Sequence, residues 1–211
     1  MKKFELIVGF LAILGICLKF VHLPGSSYLT VFSFMTLSMF YSAFSFALFN
    51  SIKLRNIFVK SSYKDTNAKR IIGAVGLGLA LSTTITGGLF KLQFWPGANM
   101  QLLAGLVVMG IILLIATFFY FRNKADYYKR IFKRIAIYGG LGLVLYLTPS
   151  STLADIYYRN NPEYAEIFKK VLDDPYNMEL QKQLDEMYRI TFHHQKLKNA
   201  SDKEELDENG E

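Results

Sequence analysis

Apolar residues in this chain come in long blocks instead of being spread at helix or strand spacing around one core. Residues 26–50, 71–90, 98–121 and 135–154 contain no Asp, Glu, Lys or Arg. A helix that crosses ~30 Å of hydrocarbon needs about 20 apolar residues at ~1.5 Å each. All four blocks meet that length, and a shorter one, 6–18, continues through Phe20 and Val21 past Lys19. The pattern therefore predicts five membrane-spanning helices. Beyond residue 160 the spacing changes. Asn161 and Pro162 read as a helix cap and first turn, after which Tyr164, Ile167, Phe168, Val171 and Leu172 fall on one helical face. Asp173, Asp174 and Pro175 end that helix, and Leu180, Leu184, Met187, Tyr188 and Thr191 line a second. Residues 200–211 are polar and acidic, with Leu206 their single large apolar residue, and are expected to be disordered.

A short motif recurs between the blocks. Lys19, His22, Pro24 and Gly25 reappear 72 residues later as Lys91, Phe94, Pro96 and Gly97, with Trp95 in the second copy at the place of Leu23. Proline ends a helix and Pro-Gly supplies a tight turn, so each copy marks the corner of a helical hairpin. The predicted fold is an all-α polytopic membrane protein of two tandem transmembrane hairpins, a fifth transmembrane helix and a short amphipathic tail. Its segments are a hairpin in 1–50, a basic loop in 51–70, a second hairpin in 71–121, a basic loop in 122–134, a fifth span in 135–154, amphipathic helices in 155–199 and the acidic end 200–211. The fifth span is interrupted at Pro149, and a re-entrant or interfacial course is its alternative. Small residues such as Gly73, Gly76, Gly78, Gly87 and Gly88, with Ser38, Ser42, Ser45, Ser82, Thr84 and Thr86, suit close helix association.

Charge sets the orientation. The net +7 hides a division: residues 1–154 carry sixteen Lys and Arg against Glu5, Asp65 and Asp126, whereas residues 155–211 carry eight against fourteen acids. The positive residues sit in 51–70 and 122–134, which places both loops and the N-terminus in the cytoplasm. Five crossings then put the C-terminal tail outside. Positive charge distributed in this way is a topology signal, so nucleic acid is not expected as a partner. The lone cysteine, Cys17, excludes an intramolecular disulfide and is expected as a small packing residue. Ile16 before it and the lack of a small-residue cleavage site point to a retained anchor.

Candidate chemistry is sparse. Lys19 and Lys91 lie at the outer ends of the first and third spans, where snorkelling to headgroups is expected. A paired cationic site for an anion or a partner carboxylate is the alternative. His22 reads as an interfacial histidine and Trp95 as part of an aromatic belt. His193 and His194 are adjacent, so they share no helix face, and no further ligand stands at metal spacing. No nucleophile and base pair, phosphate loop or cofactor motif is present, so neither an enzyme nor a cofactor is expected.

The corner at Lys19, His22, Pro24 and Gly25, and more closely that at Lys91, Trp95, Pro96 and Gly97, resembles the transmembrane hairpin of the GldL family of bacterial gliding motility and type 9 secretion. The resemblance covers roughly 9–50 and 72–121. It implies a bacterial inner-membrane hairpin protein. That family carries a membrane-embedded glutamate about 12 residues after the corner glycine, where this chain has Leu37 and Met109. The expected function is thus a scaffold or assembly subunit of an envelope or secretion complex, with the bilayer and other membrane helices, in a homo-oligomer or hetero-complex, as partners. A small-solute transporter or channel, with Thr83, Thr84, Thr86, Asn99 and Gln101 along a polar path, is the alternative.

Overall fold

The computed structural model describes residues 1–23, 25–64 and 66–193, the last two by their backbone. Pro24 and the expected disorder of 200–211 lie outside the described residues, as does His194, and nothing is described of the His193 side chain. Among the described residues the chain is all helix and turn, with no strand. It divides into two units, 1–148 and 149–211.

The first unit holds α1 (Lys2–Phe20), α2 (Ser26–Phe49), α3 (Ala68–Leu92), α4 (Ala98–Asn123), α5 (Asp126–Arg134), a π-helical turn (Ile135–Gly139) and α6 (Gly140–Leu147). Three of these, α2, α3 and α4, are long and apolar enough to cross a membrane. A fourth is added if α5 to α6 and the helix after Pro149 count as one span. α1 has the length but carries Lys2, Lys3, Glu5 and Lys19 within its 19 residues.

Glycines set the distance between these helices. A Cβ on Gly15 would collide with Thr30, on Gly78 with Ser45, and on Gly105 with Thr84. Each collision joins helices adjacent in sequence: α1 to α2, α2 to α3 and α3 to α4. The helices run antiparallel, because later residues on one meet earlier residues on the next: Gly87 lies against Leu102, and Thr84 against Gly105. Hydroxyls complete the α2–α3 seam, where Ser38 Oγ shares hydrogen bonds with Ser82 Oγ (2.7 Å) and Thr86 Oγ1 (2.9 Å). In a membrane such contacts replace the hydrophobic effect as the glue between helices. Leu77 and Leu81 of α3 are wholly buried in one apolar cluster with Tyr41 and Phe49, and Leu89 is wholly buried as well. By contrast α1 turns Leu6, Phe10 and Ile13 outward.

α5 buries Tyr127, Tyr128, Ile131 and Arg134 on one side and exposes Lys129 and Lys133 on the other. The helix then continues through the π turn, so Gly139 meets Met109, Gly142 meets Thr84, and Leu145 reaches Gly88. α6 thus ends near the level at which α3 ends. The uncharged stretch 135–154 is divided at Thr148 and Pro149.

The second unit holds α7 (Ser150–Tyr157), α8 (Pro162–Asp173) and α9 (Met178–Tyr188). Asn161 and Pro162 open α8 at the expected positions, although Asn161 makes no side-chain cap hydrogen bond. The cap of α9 is Asn177, whose Oδ1 accepts from the backbone N–H groups of Glu179 and Leu180. Tyr158, Tyr164 and Phe168 pack ring to ring with centroids 4.6 to 6.1 Å apart, and Tyr188 of α9 joins Tyr164 at 6.3 Å. Lys169 pairs with Asp155 at 2.7 Å.

Candidate functional site

Charged groups gather inside the first unit at two opposite ends. At one end the two corner motifs stand side by side. Their backbones repeat one another: His22 and Phe94 take positive φ (59° and 56°), as do Gly25 and Gly97 (86° and 80°). The amides repeat as well. His22 N–H donates to Lys19 O and Leu23 N–H to Leu18 O; Phe94 N–H donates to Lys91 O and Trp95 N–H to Phe90 O. This pair of bonds is the Schellman closure of a helix C-terminus. Glycine is the usual occupant of the left-handed position, and a side chain there costs about 1–2 kcal/mol. Both copies accept that cost at the same place, so the corner is one structure used twice.

The corner lysines diverge in what they hold. Lys91 Nζ donates to Asn99 Oδ1 at 2.8 Å, across its own corner. At the equivalent of Asn99 the first copy has Ser27, and Lys19 reaches into the second copy instead. Its Nζ donates to Leu92 O (2.5 Å) and Gln93 Oε1 (2.7 Å). A helix end leaves its last carbonyls without partners and carries a partial negative charge, which Lys19 meets on α3. The expected snorkelling is therefore corrected: Lys19 is 7% and Lys91 2% exposed, and both are turned into the protein. His22 is exposed, and Trp95 packs edge-on to Phe90 at 5.1 Å while staying 44% exposed. Pro96 is exposed at the turn. Cys17 is also exposed on α1, not packed as expected.

The opposite end holds a cluster that sequence reasoning missed. Arg134 of α5 forks onto Glu5 of α1, with Nε donating to Oε1 at 2.9 Å and Nη2 to Oε2 at 2.5 Å. The pair is nearly buried, with side chains 9% and 13% exposed. Tyr41 OH of α2 donates to the same Glu5 Oε1, Tyr138 packs edge-on to Tyr41 at 5.3 Å, and the guanidinium lies over Phe49. Arg130 Nε donates to Phe49 O (2.9 Å) and Tyr127 OH to Arg70 O (2.8 Å), which ties α5 to the neighbouring helix ends. The clue was available in the sequence. Glu5 is the one acid in the first 64 residues, and such a charge in a helix that otherwise reads as membrane-spanning needs a partner.

These clusters can fasten helices together but hold no nucleophile and base pair. The hydroxyls considered for a polar path are engaged: Thr83 and Thr84 donate to Leu79 O and Ala80 O, and Thr86 bonds Ser38. Leu37 and Met109 are buried among apolar neighbours. Among the described residues no group of three or more His, Cys, Asp or Glu could hold a metal ion. No family model, curated protein or solved structure matches the chain.

Proposed function

We propose that this chain is a non-enzymatic integral inner-membrane protein, a scaffold or assembly subunit of an envelope or secretion complex built on a duplicated GldL-like hairpin. The observation that carries this reading is the fate of its polar side chains. Ser38, Ser82, Thr86, Lys19, Lys91, Glu5 and Arg134 all bond within the helix bundle, while Leu103, Val107, Ile111 and Leu114 of α4 face outward. A surface of that kind fits lipid and neighbouring membrane helices.

Five crossings with a cytoplasmic N-terminus belong to the same proposal. α1 qualifies despite its charges because Glu5 and Lys19 are met by protein partners about 21 Å apart along the helix. The fifth crossing draws support from the depth that α6 reaches beside Gly88. The basic segments cluster with Glu5 and Arg134 at one end and the corners lie at the other, which fits the positive-inside rule. The transporter alternative has less behind it, since its threonines are spent on backbone and seam bonds.

Two experiments test the proposal. Purified in mild detergent, the protein is expected as a homo-oligomer or with a co-purifying membrane partner; a solitary monomer would argue against a scaffold. In a Cys17→Ser background, a cysteine at Asn199 is expected to label from outside and one at Asn67 only after permeabilisation. The reverse pattern would invert the topology.

A further inference from the structure

The connection between α2 and α3 does more than join two helices. Phe58 is 98% exposed, with Leu54 at 54% and Val59 at 46%. Lys53, Arg55, Lys60 and Lys64 alternate with them and are also exposed. The segment is not extended: residues 54–56 and 60–63 form two 3₁₀ turns, and Tyr63 OH donates to Ile57 O at 2.6 Å. The second turn presents an open recess lined by Lys60, Ser61, Tyr63 and Lys64. Both ends are pinned where the bundle stops, at Phe49 of α2 and Ala68 of α3.

We propose that residues 53–64 form a docking surface for anionic phospholipid headgroups, with Phe58, Leu54 and Val59 entering the acyl boundary beneath them. The proposal rests on α2 and α3 crossing the bilayer, which holds the segment at headgroup depth. A fully exposed phenylalanine is costly in water and stable at an interface, where aromatic and aliphatic side chains sink while flanking ammonium groups stay at the phosphates. Exposed Lys2, Lys3, Lys69, Arg122 and Lys124 lie at the same end of the unit and add to the field. Charge complementarity selects the lipid: a zwitterionic headgroup offers this surface no net attraction, whereas an anionic one gains from each cation.

The full-length chain has a natural reference probe, because its single tryptophan, Trp95, lies in the corner at the opposite end. In nanodiscs with brominated acyl chains, Phe58→Trp is expected to add quenching beyond that of Trp95 when phosphatidylglycerol is present, and much less in phosphatidylcholine alone. Combining it with Lys53→Gln, Arg55→Gln, Lys60→Gln and Lys64→Gln should abolish the difference, each removed cation weakening the preference about fivefold at low salt. Raising the salt on Phe58→Trp alone should do the same without altering the segment. Equal quenching in both lipids, or a difference that neither salt nor charge removal changes, overturns the proposal. A retained chain whose position 58 stays in water overturns it too and assigns the surface to a soluble partner. A chain that the discs fail to retain, with Trp95 itself unquenched, refutes the crossing helices as well.

Discussion

At the scale of single residues, Glu5 and Arg134 carry the largest consequence. Two charges held out of water repay their desolvation only with good geometry and extra hydrogen bonds. The bidentate fork, with Tyr41 as a second donor to Glu5, meets that condition. Arg134→Met leaves the carboxylate buried without its cation and is expected to destabilise the bundle by about 3–5 kcal/mol. Glu5→Gln combined with Arg134→Met should recover most of the loss, as read by unfolding in mixed micelles. A double variant as unstable as Arg134→Met alone would show that the pair does not act through charge. None of this was legible in sequence periodicity, because the partners lie 129 positions apart and belong to different helices. The corner lysines were legible as a repeat, but their direction was not. Where Lys19 turns depends on Leu92 O and Gln93, which come close only after two hairpins have packed.

At the scale of helices, steric room separates structural glycines from incidental ones. Gly78 and Gly105 face side chains that a Cβ would strike, whereas Gly9 and Gly110 have nothing within 4 Å. Overpacking a filled contact typically costs 1–3 kcal/mol. Gly78→Leu and Gly105→Leu are thus expected to lower thermal stability in detergent by about that amount, and Gly110→Ala to leave it unchanged. Equal effects at Gly105 and Gly110 would contradict the packing described. The sequence announced the small-residue surfaces and the long spans, yet it could not rank the glycines, since ranking needs the register of the facing helix. In the second unit, burial raises the pKa of the Tyr158 phenol above the ordinary 10.0, reinforced by the neighbouring Tyr164. The fold holds the neutral form, so this contribution is intact below pH ~10 and lost as pH rises past the unfolded phenol's pKa. Protease cleavage in residues 150–188 should accelerate between about pH 10 and 11. Tyr158→Phe should reduce the acceleration.

At the scale of the whole molecule, the internal repeat is incomplete in an informative way. The seam that joins the two copies uses Gly78, Ser82 and Thr86 on α3. One repeat earlier, on α1, the same positions are Leu6, Phe10 and Leu14. Leu6 and Phe10 are 72% and 65% exposed. On α4 the counterparts of Ser38 and Ser45 are Gly110 and Thr117, the latter donating to its own helix at Leu113 O. On α1 that leaves a surface of bulky hydrocarbon, which is at home in lipid and offers a facing helix neither hydroxyls nor close approach. A gene that has doubled a unit once could go on stacking copies without end, like bricks laid in a course. Here the brick at the α1 end has been glazed, so no third copy can be laid against it, and a companion helix is left the α4 side to grip.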